Sequence, residues 1–160
     1  FEAETEEINI MKRPPKKIYE PFFGIRKILL SCLQGVGILA VTLVIYFLGI
    51  HYGYKASEVR AMAYTTLIIS NIAVILTNRS WTDNIFRIIA TPNRAVIWVV
   101  GGAIFFLILI LNIPFFLELF QFQRLSFFEI ALCVLAGLST IVWFEVYKSI
   151  KKKRQKQFLN

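Results

Sequence analysis

The chain has 160 residues, of which 57% are hydrophobic and only 18% charged, with a net charge of +8 and a mean hydropathy of +0.63. A soluble domain of this size carries far more charge on its surface. The composition therefore excludes an ordinary water-soluble globule, and the bilayer is read as the solvent.

The first 27 residues form a polar connector. Glu2, Glu4, Glu6 and Glu7 offer an acidic surface to a cytosolic partner, and Lys12, Arg13, Pro14, Pro15, Lys16 and Lys17 follow as a stiff basic strap. The proline pair forces Arg13 and Pro14 toward extended geometry and blocks a continuous helix into the first apolar run. The basic residues hold that end near anionic headgroups. The chain begins at Phe1, which suggests a piece of a longer protein. No cleavable leader is expected, because the first apolar run starts after residue 25 and is too long for an h-region.

Four apolar runs follow, at residues 28–50, 59–78, 95–117 and 125–147. Each is close to the ~20 residues that a helix needs to cross about 30 Å of hydrocarbon. Membrane β-strands need about half that length and alternate apolar with polar, which these runs do not. The expected fold is an all-α membrane protein: a bundle of four transmembrane helices with short connectors and a basic tail at 148–160.

On the first run, Ser31, Gly35, Thr42 and Gly49 form one stripe with Gln34 beside it. Ser31 and Gly35 are a small-xxx-small pair suited to close helix packing; Gln34 reads as a packing residue or as an ion or proton relay. Cys32 and Cys133 lie in apolar runs and read as small apolar side chains, with no disulfide or zinc pattern. His51, at the outer end near Tyr52 and Tyr54, reads as an interfacial side chain.

On the second run, Ala63, Thr66, Ser70, Ala73 and Thr77 form a stripe that should face protein. Asn71 lies on a neighbouring face, with Asn78 two turns further on. A mid-membrane Asn is costly unless paired or solvated, so Asn71 reads as an interhelical hydrogen bonder or a ligand-side residue. In the second connector, Trp81, Ile85, Ile88 and Ile89 are spaced for a short helix on the membrane surface.

The third run is apolar nearly all round except Gly101, Gly102 and Asn112, and reads as lipid-facing. Pro114 falls near its end, where a lost backbone bond costs little. Glu118 and Glu129 flank the last outer turn and are expected to be solvated. On the fourth run, Glu145 can pair with Lys148 or Ser149, and Trp81, Trp143 and Tyr147 fall near expected interfaces.

Fifteen of the 18 Lys and Arg residues lie in the N-terminal connector, the second connector and the tail. Basic loops stay cytoplasmic, so both termini are expected on the cytoplasmic side. Topology then explains the positive charge, and no nucleic-acid partner is expected. No Walker-type loop, His-Glu-x-x-His or Gly-x-Ser-x-Gly motif appears in the chain, so catalytic machinery is not visible.

The segment "FEAETEEINIMKRPPKKI" resembles the stretch after the sixth transmembrane helix of P-type cation pumps, with Met11, Arg13, Pro14 and Pro15 matching its Ile-Met-x-Arg-Pro-Pro pattern. "LLSCLQGVGILAVTLVIYFLGI", with Gln34-Gly35, resembles the seventh helix of bacterial calcium-type pumps. "VRAMAYTTLIISNIAVILTNRS" resembles the eighth. Asn93-Arg94 and Glu145 with Lys148 extend the likeness along the whole chain.

The resemblance implies helices seven to ten of an ATP-driven pump in a bacterial cytoplasmic membrane. The fragment would carry no cofactor of its own, and the parent would use ATP and Mg2+. Its partners would be the lipid bilayer, the remaining helices and cytoplasmic domains of the pump, and the transported cation. Asn71 would align with a cation-site position, and Met11, Arg13, Pro14 and Pro15 would couple to the phosphorylation domain. Residues 74–77 read "VILT" where the family pattern is Asn-Ala-Leu-Asn, a departure that bears on the ion; calcium is the leading one. The alternatives are a free-standing four-helix protein that binds or regulates a partner and, ranked last, a small channel or exporter.

Overall fold

A computed structural model describes residues 25–78 and 94–157, with side chains described at 25, 28–78 and 96–142. The regular structure is helical: α1 Ile25–His51, α2 Ala56–Asn78, α3 Arg94–Asn112, α4 Pro114–Phe120 and α5 Phe127–Gln157. Two helices, α1 and α2, are long and apolar enough to cross a membrane, and a third candidate arises if the bent pair α3–α4 is taken together. The described apolar part of α5, Phe127–Val142, is shorter. The Met11–Pro15 strap and the surface helix expected around Trp81 lie outside the described residues, as do the side chains of Trp143, Glu145, Tyr147 and Lys148.

Contacts fix the direction of each helix. Gln34 meets Asn78, and Gly49 packs on Val59, so α1 and α2 are antiparallel. Ser57 pairs with Gln123, Cys133 with Met62, and Gly137 abuts Ile69, so α2 and α5 run parallel. Leu107 and Leu111, near the end of α3, pack on Ala61 near the start of α2. The order is up-down-up-down, and α1 begins at the same end of the bundle towards which α5 runs.

The turns have local causes. Beyond α1, Gly53 adopts φ 77°, a conformation that glycine tolerates at little cost. Its N–H donates to Ile50 O and that of Tyr54 to Gly49 O, closing the helix end as a Schellman motif. At the start of α5, Ser126 N donates to Glu129 Oε2 at 2.6 Å and Glu129 N donates to Ser126 Oγ at 3.4 Å. This is a capping box. Glu129, expected to be solvated, is instead only 9% exposed, because its carboxylate is needed by the backbone at this helix start.

The third apolar run does not continue to residue 117 as one helix. Pro114 has no N–H to donate and its ring excludes the preceding turn. Ile113 is accordingly extended (φ −81°, ψ 125°), as a residue before proline prefers. α4 then leaves at 86° to α3. The freed carbonyl of Asn112 accepts a bond from Arg124 Nη2 at 3.3 Å.

α2 is the central helix. Val59, Ala61, Met62, Thr65, Thr66, Ser70, Ile72, Ala73 and Thr77 on it are all buried. Ile45, Met62 and Cys133 join α1, α2 and α5 in one cluster. Large apolar side chains remain exposed along α1 and α3, among them Leu39, Phe47, Trp98 and Phe105. In lipid such exposure is not penalised, and association rests on close packing and hydrogen bonds.

Candidate functional site

Most hydroxyls of the α2 stripe are settled within their own helix. Thr65 Oγ1 donates to Ala61 O, Thr66 Oγ1 to Met62 O and Thr77 Oγ1 to Ala73 O, at 2.7–2.9 Å. Each threonine thus presents a compact, satisfied surface to its neighbours. Ser70 differs: it is fully buried, and its Oγ has no hydrogen-bond partner among the described residues. Opposite it stands Gly137, where an added Cβ would come within 2.6 Å of Ile69 Cγ2 and 3.2 Å of Ser70 N. Sequence reasoning placed Ser70 on a protein-facing stripe but missed Gly137, whose signal was a lone glycine in the middle of an apolar helix.

Gln34 is buried at the α1–α2 seam. Its Nε2 donates to Asn78 Oδ1 at 2.8 Å, and Asn78 Nδ2 donates back to Gln34 Oε1 at 3.0 Å. Both ends of each carboxamide are thereby engaged. The pair ties the first third of α1 to the last residue of α2. This reciprocal bonding is the geometry of an interhelical packing contact.

Gly35 and Asn71 lie on the outside of these helices. Gly35 is exposed, and a Cβ built there meets nothing within 4 Å. Asn71 is also exposed, and its Nδ2 donates to Leu67 O of its own helix at 2.9 Å. That bond orients the amide and leaves Oδ1 as an available carbonyl acceptor. Leu67 and Ile75, one turn to either side, are 37% and 45% exposed, so α1, α3 and α5 leave this strip of α2 uncovered. A carbonyl oxygen of this kind suits a hard cation but binds weakly alone. Among the described residues, no group of three or more His, Cys, Asp or Glu side chains could hold a metal ion. A cation at Asn71 would need ligands from beyond these helices.

The seam, the buried stripe and the uncovered strip make this an assembly of helices around α2 with the Asn71 strip of α2 left uncovered by the described residues. A family model described as "Cation transporting ATPase, C-terminus" matches residues 1–150. The chain belongs to that family. It is 29% identical over 154 residues to "Calcium-transporting ATPase 1" of Lactococcus lactis subsp. lactis (strain IL1403), covering 92% of this chain and 17% of the relative. It is 21% identical over 154 residues to "Calcium-transporting ATPase type 2C member 1" of Homo sapiens, covering 96% of this chain and 17% of the relative. The chain thus spans about one sixth of the length of these relatives.

Proposed function

We propose that this chain is the carboxy-terminal membrane support of an ATP-driven P-type pump that moves a cation, calcium first among the candidates. The family match over residues 1–150 carries the reading, and the relatives named as calcium-transporting ATPases supply the ion. The four apolar runs cross the bilayer in alternation, with both termini in the cytosol. A bacterial cytoplasmic membrane fits the Lactococcus relative.

Within the pump, α1, α2 and α5 form a rigid wall held by the Gln34–Asn78 pair and the α2–α5 packing. The uncovered strip with Asn71 faces the ion-carrying helices, and the Asn71 carbonyl is one cation ligand among several. Gly35 lets a further helix approach α1. Met11, Arg13, Pro14 and Pro15 meet the phosphorylation domain, where the parent binds ATP and Mg2+. The alternative of a free-standing partner-binding protein is not favoured, since the relatives that share this segment are ATPases of which it forms 17%.

The test is calcium-dependent ATP hydrolysis and uptake by the full-length parent in proteoliposomes. Asn71→Ala is expected to raise the calcium concentration for half-maximal activity about tenfold, equivalent to about 1.4 kcal/mol, with little change in maximal rate. An unchanged calcium dependence removes Asn71 from the site. A parent that neither hydrolyses ATP nor moves any cation removes the function.

A further inference from the structure

We propose that α4 is a surface-lying membrane anchor, held in the interfacial layer of the non-cytoplasmic leaflet with its Phe115–Leu119 side against lipid. This rests on the membrane reading above and goes beyond it, since the third apolar run was expected to cross through residue 117.

The lengths support this placement. α3 has 19 residues, which at ~1.5 Å each make a rod of about 28 Å, close to the ~30 Å of hydrocarbon. α3 therefore reaches the far boundary of the hydrocarbon without α4. The 86° turn at Pro114 then sends α4 along that boundary instead of onward.

Polar groups mark the same level. Arg124 Nη2 donates to Asn112 O at the end of α3, and Arg60 Nη2 donates to Gln121 O at the end of α4 at 3.0 Å. Ser57 Oγ donates to Gln123 Oε1 at 3.1 Å. Guanidinium groups and exposed backbone carbonyls belong in the interface and not among acyl chains. Two of these bonds fasten the end of α4 and the loop after it to the start of α2, and the Arg124 bond draws that loop back onto the end of α3.

The faces of α4 fit the layer. Phe116 and Leu117 are half-buried. Phe120 stacks on Tyr64 and Phe122, with centroids 6.3 and 5.5 Å apart. Phe115 and Leu119, one turn apart on the other side, are 67% and 62% exposed, and Glu118 is exposed beside them. On α3, Phe105 and Phe106 are likewise each 61% exposed. An apolar side next to a charge, on a helix perpendicular to a spanning one, suits the headgroup–acyl boundary.

Nitroxide labels at Phe115→Cys, Leu119→Cys and Glu118→Cys in the full-length parent, reconstituted in bilayers with other accessible cysteines removed, read depth from collisions with oxygen and with a water-soluble nickel chelate. The expected result is the same shallow depth at 115 and 119, with 118 more open to the chelate. A depth difference of about 6 Å between 115 and 119, the rise of four helical residues, would show α4 continuing across the bilayer and overturn the proposal. Labels as open to the chelate as one at Tyr52, or shielded from both agents by protein, would overturn it too. A label at Leu39→Cys on α1 is the control: if it is not rich in oxygen collisions, the membrane reading itself fails. Should a cysteine variant not fold, Phe115→Trp and Leu119→Trp quenched by lipids brominated at shallow or deep positions give the same discrimination.

Discussion

Gln34 and Asn78 each carry a carboxamide to the α1–α2 seam, and each is donor and acceptor to the other. Removing one leaves its partner at a helix interface with its donor and acceptor unmatched. Gln34→Leu is expected to destabilise the parent by about 1 kcal/mol, within the range for interhelical hydrogen bonds in membranes. The Gln34→Leu/Asn78→Leu double variant should recover part of that loss, because no orphaned amide remains. Thermal unfolding in detergent checks both; additive losses would show that the two residues are not coupled. Gln34 and Asn78 were both recognisable in the sequence as polar residues in apolar runs, but their pairing was not. The pair is 44 positions apart, and only the antiparallel register of two helices brings it together. Asn71 stands out in the sequence for the same reason as Gln34, but the bond it makes is to its own helix, not between helices. The sequence pattern left its surroundings open, and the structure puts it on an uncovered face.

Helix contacts in this bundle depend on two glycines with different neighbours. A Cβ at Gly49 would meet the two γ-methyls of Val59, at 2.9 and 3.3 Å, while one at Gly137 would meet Ile69 Cγ2 at 2.6 Å, Ile69 Cβ at 2.8 Å and the Ser70 backbone N at 3.2 Å. Each Gly→Ala change should cost about 1–3 kcal/mol, the usual range for overpacking. Val59→Ala should restore most of the loss in Gly49→Ala, since it removes both colliding methyls. Ile69→Ala should restore little in Gly137→Ala, because a β-carbon and a backbone atom cannot withdraw. Unfolding of the two double variants measures the contrast, and equal rescue would mean that α2 and α5 can shift apart. The existence of α1, α2, α3 and α5 was legible because long apolar runs bounded by charge leave few alternatives. The corner at Pro114 was not. The proline was noted near the end of a span, but how sharply α4 turns depends on what the bundle offers the freed carbonyls, and Arg60 and Arg124 come from elsewhere in the chain. Glu129 was misjudged as solvated because its role depends on Ser126 beginning a helix three residues earlier.

Across the whole molecule, α1 and α3 run one way and α2 and α5 the other. The Gly53 turn gathers at one end with the corner at α4. From the distribution of Lys and Arg, the opposite end is expected in the cytosol. The alternation of helix directions was legible from the succession of apolar runs; which helix takes the centre was not, because α2 wins that place through small and self-satisfied residues spread over Val59 to Thr77. The most direct test is side-specific labelling of the full-length parent in sealed vesicles with a membrane-impermeant thiol reagent, using Lys16→Cys, Lys152→Cys and Tyr52→Cys. Reaction of 16 and 152 from the cytosolic side only, and of 52 from the opposite side only, is the expected result; 16 and 152 reacting from opposite sides would contradict it.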